Sequence, residues 1–501
     1  PHHIVSRQLF GHQSQIPIPD IDHTQYFMII GGNPLASNGS IMTVPHVKRR
    51  LKAIQARGGK VVVIDPKQSE TADISTEHHF IKPGTDALLL LAMLNTLFSH
   101  GWQKPGKLSD YTEQLFDVEA YVKDYPPSRV APLIGMTESQ IEHLVEDFCA
   151  ASSAVCYGRM GASVQAFGTL TGNLDKAGGM MFTQPAADTL PHSGRGSIAQ
   201  YHSRVRQLPA FAGEFPVSAL AEEITTPGEG QIKAMVIGAG NPVLTTPNGQ
   251  QLDDAFAGLE YMVAVDFYIT ETLRGVPTDK YQALWAKEPK GVVDDLLKSS
   301  TYRHEGQRLS IELLLEKPHG IDLGPLRENL PEAIFHPEQK IDLRFDYFMA
   351  DLVRLNKHFF SAANQGQQDS LLLIGRRHLK TNNSWLHNSN RMVKGTNNGL
   401  SRCTAQLHSE DAQRYNITNG QMIRVKSRVG EIALPAEVTD KIMPGVISIP
   451  HGWGHNKKGS KWSVAEQHAG VNVNELTDEL VLDELSGNAV LNGVPVWITG
   501  L

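Results

Sequence analysis

The chain has 501 residues, 41% of them hydrophobic and 20% charged, with a formal net charge of −7. That length suggests about two to four domains of ordinary globular composition. The mixed, slightly acidic charge leaves no electrostatic footprint for nucleic acid, and the longest apolar run, Ala87 to Leu94, is too short to span a bilayer.

The chain opens at Pro1, and "PHHIVSRQLFGHQ" reads as the middle of a longer protein, so a truncated start is expected. Tyr26–Ile30 is an apolar run that ends at Gly31-Gly32-Asn33-Pro34, a strand running into a turn. In "VPHVKRRLKAIQARGG", Val47, Leu51 and Ile54 fall at helical spacing, and Gly58-Gly59 supplies the stop. "KVVVI" is apolar and β-branched and ends at Asp65-Pro66. Strand, crossover helix and continuous apolar strand predict a parallel βαβ unit buried on both faces. Next, His79–Ile81 is predicted as a short strand, with Thr85 or Asp86 capping the helix that follows.

About two hundred residues on, the same order returns. Ala234–Ile237 is a strand, Gly238–Pro242 a turn, "QQLDDAFAG" a helix with a glycine stop, and Tyr261–Val265 a strand that ends at Asp266. GGNP matches GAGNP, and the two strand-end aspartates match as well. In open parallel sheets, ligands sit at the carboxyl ends of strands. Glycines there let the backbone approach a phosphate, and a strand-end carboxylate can accept from a ribose hydroxyl pair. One unit could hold one nucleotide, and two units two. Asp86 could grip a guanine edge, because a carboxylate accepts two parallel hydrogen bonds.

The three cysteines, Cys149, Cys156 and Cys403, form no CxxC pair, so a four-cysteine zinc or iron–sulfur site cannot be built from this chain alone. They read as buried reduced thiols of a cytoplasmic protein. Towards the C-terminus, "MIRVKSRVGEIALPAEVTD" alternates around an Arg428-Val429-Gly430 hairpin turn, and "GVISIPHGWGH" is a strand entering a glycine-rich turn. Both predict a small β-barrel. His451 and His455 are four apart, but Gly452 and Gly454 break any helix there, so zinc is not expected.

"GGNPLASNG", "VVVIDPKQSETA", "HFIKPGTDALLLLAML", "YGRMGASVQ", "TGNLDKAGG", "GAGNPVLTTPN" and the block from "LLLIGRRHLKTNNSWLHNS" to "NVNELTD" are similar, in order, to the molybdopterin oxidoreductases of the dimethyl sulfoxide reductase type. The resemblance covers nearly the whole chain. It implies an α/β fold of two related parallel-sheet dinucleotide-binding domains, 1–150 and 151–355, followed by a C-terminal molybdopterin dinucleotide-binding β-barrel, 356–501. It also implies two molybdopterin guanine dinucleotides holding one molybdenum or tungsten.

On the family's pattern, the loops at Gly32, Asn33 and Pro34 and at Asn241 and Pro242 contact nucleotide phosphate and ribose, with Asp65 and Asp266 as the strand-end carboxylates. Gly84, Thr85 and Asp86 match the guanine loop, and Gly158, Arg159 and Gly161 the segment beneath the metal. Gly375, Arg376, Asn382, Asn383, Gly452, Trp453, Asn474 and Thr477 fall on pterin-facing positions.

The family's four-cysteine motif is not present, so a 4Fe–4S cluster is expected only in a missing N-terminal part; the resemblance puts the protein ligand to the metal before or near Pro1, and no catalytic residue is identified. Thr171–Gly172 and Arg274–Gly275 look like joints where the family carries longer segments. The resemblance implies a redox enzyme for a small anion, formate oxidation ahead of nitrate reduction, with an electron-transfer partner. The alternative is a non-catalytic electron-transfer or scaffold subunit of the same fold, as in the large iron–sulfur subunit of respiratory complex I.

Overall fold

The computed structural model describes residues 2–37, 39–113, 115–158, 167–190, 193–266, 268, 270–272, 289–343, 346–361, 370–378, 381–394 and 400–501. The first sheet is built from β1 (Tyr26–Ile30), β2 (Lys60–Ile64), β3 (Glu77–His79) and β4 (Ala154–Gly158) in the order β3-β2-β1-β4. All its pairs are parallel, with Tyr26 opposite Lys60 on one side and Ala154 on the other. Every residue of β1 is buried, as a strand covered on both faces requires.

Helix α1 (Val47–Ala56) buries Val47, Leu51 and Ile54, the residues its periodicity singled out. Helix α2 (Asp86–Ser99) is apolar nearly all round and is buried from Leu88 to Leu94. Helix α3 (Glu138–Ala150) starts at a capping box between Thr137 and Gln140.

Two expectations change here. The third strand is Glu77–His79, because Val62 pairs with Glu77 and Ile64 with His79; Phe80 and Ile81 already lead into the turn. The break at 150/151 also falls in the wrong place. Ala154–Gly158 is an edge strand of the first sheet, and the same core takes in Phe167, Phe182, Ile334 and Ile341.

At the first suspected joint, residues 167–170 form a helical turn closed by Gly172 at φ +69°. Gly172 N–H donates to Thr169 O at 3.1 Å and Asn173 N–H to Gly168 O at 2.8 Å, the bond pattern of a glycine C-cap. The second joint, Arg274–Gly275, lies outside the described residues.

The second unit has the same parts in the same order. β5 (Ala234–Gly238) runs parallel to β6 (Tyr261–Val265), joined through helix α4 (Gly249–Ala257), which Asn248 caps by accepting from Gln251 N–H. Ile224, Ile237, Leu252 and Phe256 form the core on one face. Unlike the strands of the first sheet, these carry exposed residues: Val236, Tyr261 and Val265 are 73%, 62% and 61% exposed among the described residues.

The last unit is a closed six-stranded barrel of β7 (Leu371–Arg376), β8 (Ala405–Leu407), β9 (Met422–Lys426), β10 (Glu431–Val438), β11 (Val446–Pro450) and β12 (Val494–Gly500), ordered β7-β11-β8-β10-β9-β12. Its interior holds Leu373, Ile423, Val425, Ile447, Ile449 and Val496. The β9–β10 hairpin turns where the sequence placed it, with Ser427 N–H donating to Gly430 O. All three cysteines are free, and among the described residues no helix is long and apolar enough to cross a membrane.

Candidate functional site

Strands β1 and β2 end side by side, and the chain leaves β1 through Gly31 at φ +61°, whose N–H donates to Ile64 O at 2.9 Å. That left-handed step brings Asn33 over the end of the sheet. Its side chain is fixed from both sides. Asn33 Nδ2 donates to Glu70 Oε2 at 2.7 Å, and Thr71 Oγ1 donates to Asn33 Oδ1 at 2.7 Å. The Thr71 oxygen also accepts from Leu35 N–H at 3.1 Å, closing the loop.

The second unit repeats each step. Ala239, at φ +47°, donates its N–H to Val265 O at 2.7 Å. Asn241 Nδ2 donates to Glu271 Oε2 at 2.6 Å, Thr272 Oγ1 to Asn241 Oδ1 at 2.7 Å, and Val243 N–H to Thr272 Oγ1 at 3.2 Å. Glutamate and threonine follow the strand-end aspartate at the same spacing in both copies: Asp65, Glu70, Thr71 and Asp266, Glu271, Thr272. The internal repeat is therefore a repeat of one hydrogen-bonded device as well as of strand and turn.

A cavity of about 480 Å³ opens at the first device, with Gly31, Gly32, Asn33, Pro34, Asp65 and Gly158 on one wall. The barrel supplies the other wall with Gly375, Arg376, Asn383, His451 and Asn474, and the second unit contributes Leu244 and Thr245. Its charges are poorly solvated. Burial lowers the Lys67 ammonium and the Arg376 guanidinium, although Arg376 donates to Ser448 O, Thr404 O and Thr404 Oγ1. Burial pushes the Asp65 carboxyl up to about 7, against the Lys67 backbone N–H and charge, with Asp86 adding to the rise. Desolvated cations beside a glycine turn suit a phosphate, and a carboxylate at the same mouth suits hydroxyl donors.

The guanine-loop residues lie just outside that lining. Gly84 takes φ +83°, and Thr85 stands at the N-cap position of α2 without capping it; its hydroxyl donates to Lys82 O at 2.7 Å. Asp86 is the first helical residue, its carboxyl raised by burial, and it stands within electrostatic reach of Asp65.

Asn241 and Asp266 line a second cavity of about 430 Å³, walled by Tyr268, Trp385 and Trp462. Two of its residues, Thr270 and Trp462, keep a buried polar atom, Oγ1 and Nε1, without a hydrogen-bond partner among the described residues. Pro242 opens the short helix Pro242–Thr245, whose carbonyls at Val243 and Leu244 accept from Asn472 Nδ2 and Asn474 Nδ2 of the barrel.

Of the remaining barrel positions, Asn382 is at φ +46°. Gly452, at φ +86°, packs its Cα face on the Asn383 backbone, where a Cβ would stand 2.9 Å from Asn383 C. Trp453 is buried, its Nε1 3.3 Å from His378 Nδ1. The Thr477 hydroxyl donates to Asn474 O at 3.2 Å. Arg159 and Gly161 lie outside the described residues. His451 and His455 diverge: His451 faces the first cavity, while His455 is buried against His387 and Glu271. Among the described residues no three metal-ligating side chains converge.

Sequence reasoning missed Glu70, Thr71, Glu271 and Thr272, although "SET" and "TET" stand at matching distances from the two aspartates. It also missed Lys67, Asn472 and the pairing of His387 with His455.

The chain matches the family model "Molybdopterin oxidoreductase" over residues 3–275 and the model "Molydopterin dinucleotide binding domain" over residues 371–495. It is 24% identical over 506 residues to formate dehydrogenase H of Escherichia coli, covering 87% of this chain and 69% of that protein. It is 22% identical over 528 residues to a nitrate reductase of Symbiobacterium thermophilum, covering 85% and 68%. That alignment is longer than this chain's 501 residues, so the relative carries segments without a counterpart here. Among solved structures, acetylene hydratase from Pelobacter acetylenicus superposes with a TM-score of 0.70 at 16% identity, covering all of this chain and 80% of that one.

Proposed function

The chain belongs to the molybdopterin oxidoreductase family, and from that premise we propose that it forms the part of a catalytic subunit that holds two molybdopterin guanine dinucleotides around one molybdenum or tungsten. The observation that carries this reading is the pair of matched Asn–Glu–Thr devices, each opening on its own cavity. The residues fit the group. Lys67, half-buried, and Arg376, buried, are poorly solvated cations suited to a pyrophosphate, Asp65 and Asp266 to ribose hydroxyls, and Asp86 to a guanine edge. In the second cavity, the buried Trp462 Nε1 and Thr270 Oγ1 are ready donors for a ligand acceptor.

When bound, the metal–dithiolene group would supply two-electron redox chemistry. The protein's own part is positioning and exclusion of water. The Asn33 and Asn241 locks hold the turns, and the barrel's Asn472 and Asn474 clamp the second loop so that Leu244 and Thr245 face the first cavity.

The substrate we infer is a small anion, with formate oxidation ahead of nitrate reduction. The support is the set of relatives, of which the formate dehydrogenase shares 24% identity and the nitrate reductase 22%. Electrons would pass to a partner protein or subunit through a 4Fe–4S cluster carried by sequence preceding Pro1, in a cytoplasmic setting that suits three free thiols.

Elemental analysis of the purified full-length protein, followed by dye-coupled assays with formate and with nitrate, tests the reading. Stoichiometric molybdenum or tungsten with formate-dependent dye reduction is expected. Metal-free protein inactive on both substrates would instead support a non-catalytic scaffold of the same fold.

A further inference from the structure

The two locks are chemically alike, but their surroundings differ. Glu70 is exposed, whereas Glu271 is fully buried. Behind Glu271 stand two histidines from the barrel unit, both fully buried. His455 Nδ1 lies 3.0 Å from Glu271 Oε1, and His387 Nδ1 lies 2.9 Å from His455 Nε2. The Trp453 ring lies tilted against His387 with centroids 4.3 Å apart, and the Trp462 ring lies 5.2 Å from His455, so neither imidazole can turn freely.

The acceptor at the end of the row fixes the proton nearest to it. Glu271 accepts at Oε2 from Asn241, and at Oε1 it accepts the Nδ1 proton of His455. His455 Nε2 lies 2.9 Å from His387 Nδ1, so one proton bridges the two rings. Burial beside His455 pushes His387 down to about 3, so it stays neutral. The result is a continuous hydrogen-bonded row from His387 through His455 to Glu271, with Glu271 holding Asn241. Nothing comparable stands behind Glu70 among the described residues.

We propose that His455 and His387 are positioning residues for the second dinucleotide: through Glu271 they hold Asn241 at the second cavity, so that this histidine row supports occupancy of the second site and not of the first. This rests on the two-dinucleotide reading.

The test is the amount of GMP released by acid hydrolysis per chain of purified holoprotein, with folding checked by circular dichroism. Wild type is expected to release two. His455→Leu, which cuts the row at its centre, is expected to release one. His455→Gln keeps a donor for Glu271 and a polar partner for His387, and is expected to return to two. His387→Leu leaves the Glu271 bond but removes its support, and is expected to fall below two; it carries the test if His455→Leu does not fold. Two GMP in both leucine variants, one GMP in His455→Gln, or loss of both nucleotides together would each overturn the proposal. Wild type without GMP would instead overturn the two-dinucleotide reading itself.

Discussion

Asn241 donates to Glu271 at 2.6 Å, as Asn33 donates to Glu70 at 2.7 Å, yet the first bond is sealed in the interior and the second lies at the surface. The energies should differ accordingly. Asn241→Ala leaves a buried glutamate without one of its donors and the Thr272 hydroxyl without its acceptor, a loss of roughly 2–3 kcal/mol. Asn33→Ala lets water replace the asparagine at Glu70 and should cost about 1 kcal/mol. Urea unfolding followed by tryptophan fluorescence checks the contrast, since Trp385 and Trp462 line the second cavity. Equal losses would mean that burial does not distinguish the locks.

Ala239 occupies the left-handed region that Gly31 occupies in the first copy. An L-residue there carries about 1–2 kcal/mol of strain, partly offset by the extra freedom glycine has when unfolded. Ala239→Gly should therefore raise stability by roughly 0.5 kcal/mol, read as a small upward shift in melting temperature. A drop would show that the alanine methyl is held by packing.

Asp65 gives a pH signature. Its folded pKa is raised, to about 7, so the folded protein binds a proton that the unfolded chain has lost above its ordinary carboxylate pKa. Stability from this group falls as pH rises from about 4 to about 7. In cofactor-free protein, Asp65→Asn should flatten that part of the melting-temperature profile and be the more stable form at pH 7. A profile identical to wild type would remove Asp65 as its source.

Asp86 should discriminate purines. If its carboxylate accepts from the guanine N1–H and 2-amino group, GMP should bind the cofactor-free protein more tightly than IMP, which lacks the amino group. Asp86→Ala should abolish that preference and weaken GMP by roughly 1–3 kcal/mol. Calorimetric titration of both nucleotides checks it; a preference surviving in the variant would place the guanine contact elsewhere.

How much of this was legible in the sequence depended on the range of the signal. The strand–turn–helix repeat was readable because Gly, Asn and Pro punctuate the backbone locally, and β1 with β2 and β5 with β6 pair as their apolar runs implied. Glu70 and Glu271 lie in irregular segments, where an acid has no period to betray it. His455 was set aside as a metal ligand for a sound local reason, the flanking glycines, but its partner His387 is 68 residues away. The β4 strand was assigned across a boundary because four helices intervene before the chain rejoins the first sheet. The apolar "AMVIG" and "YMVAV" form the strands read from them, yet alternate residues face outward, since an apolar run reports hydrophobicity and not what is available to cover it.

The central claim is that the two matched devices are two nucleotide sites. Acid hydrolysis of the purified holoprotein, with released guanine nucleotide quantified against protein and metal, tests it most directly. The account predicts two GMP and one molybdenum or tungsten per chain. A protein carrying metal but no guanine nucleotide, or one nucleotide that persists after both Asn33→Ala and Asn241→Ala, would contradict it.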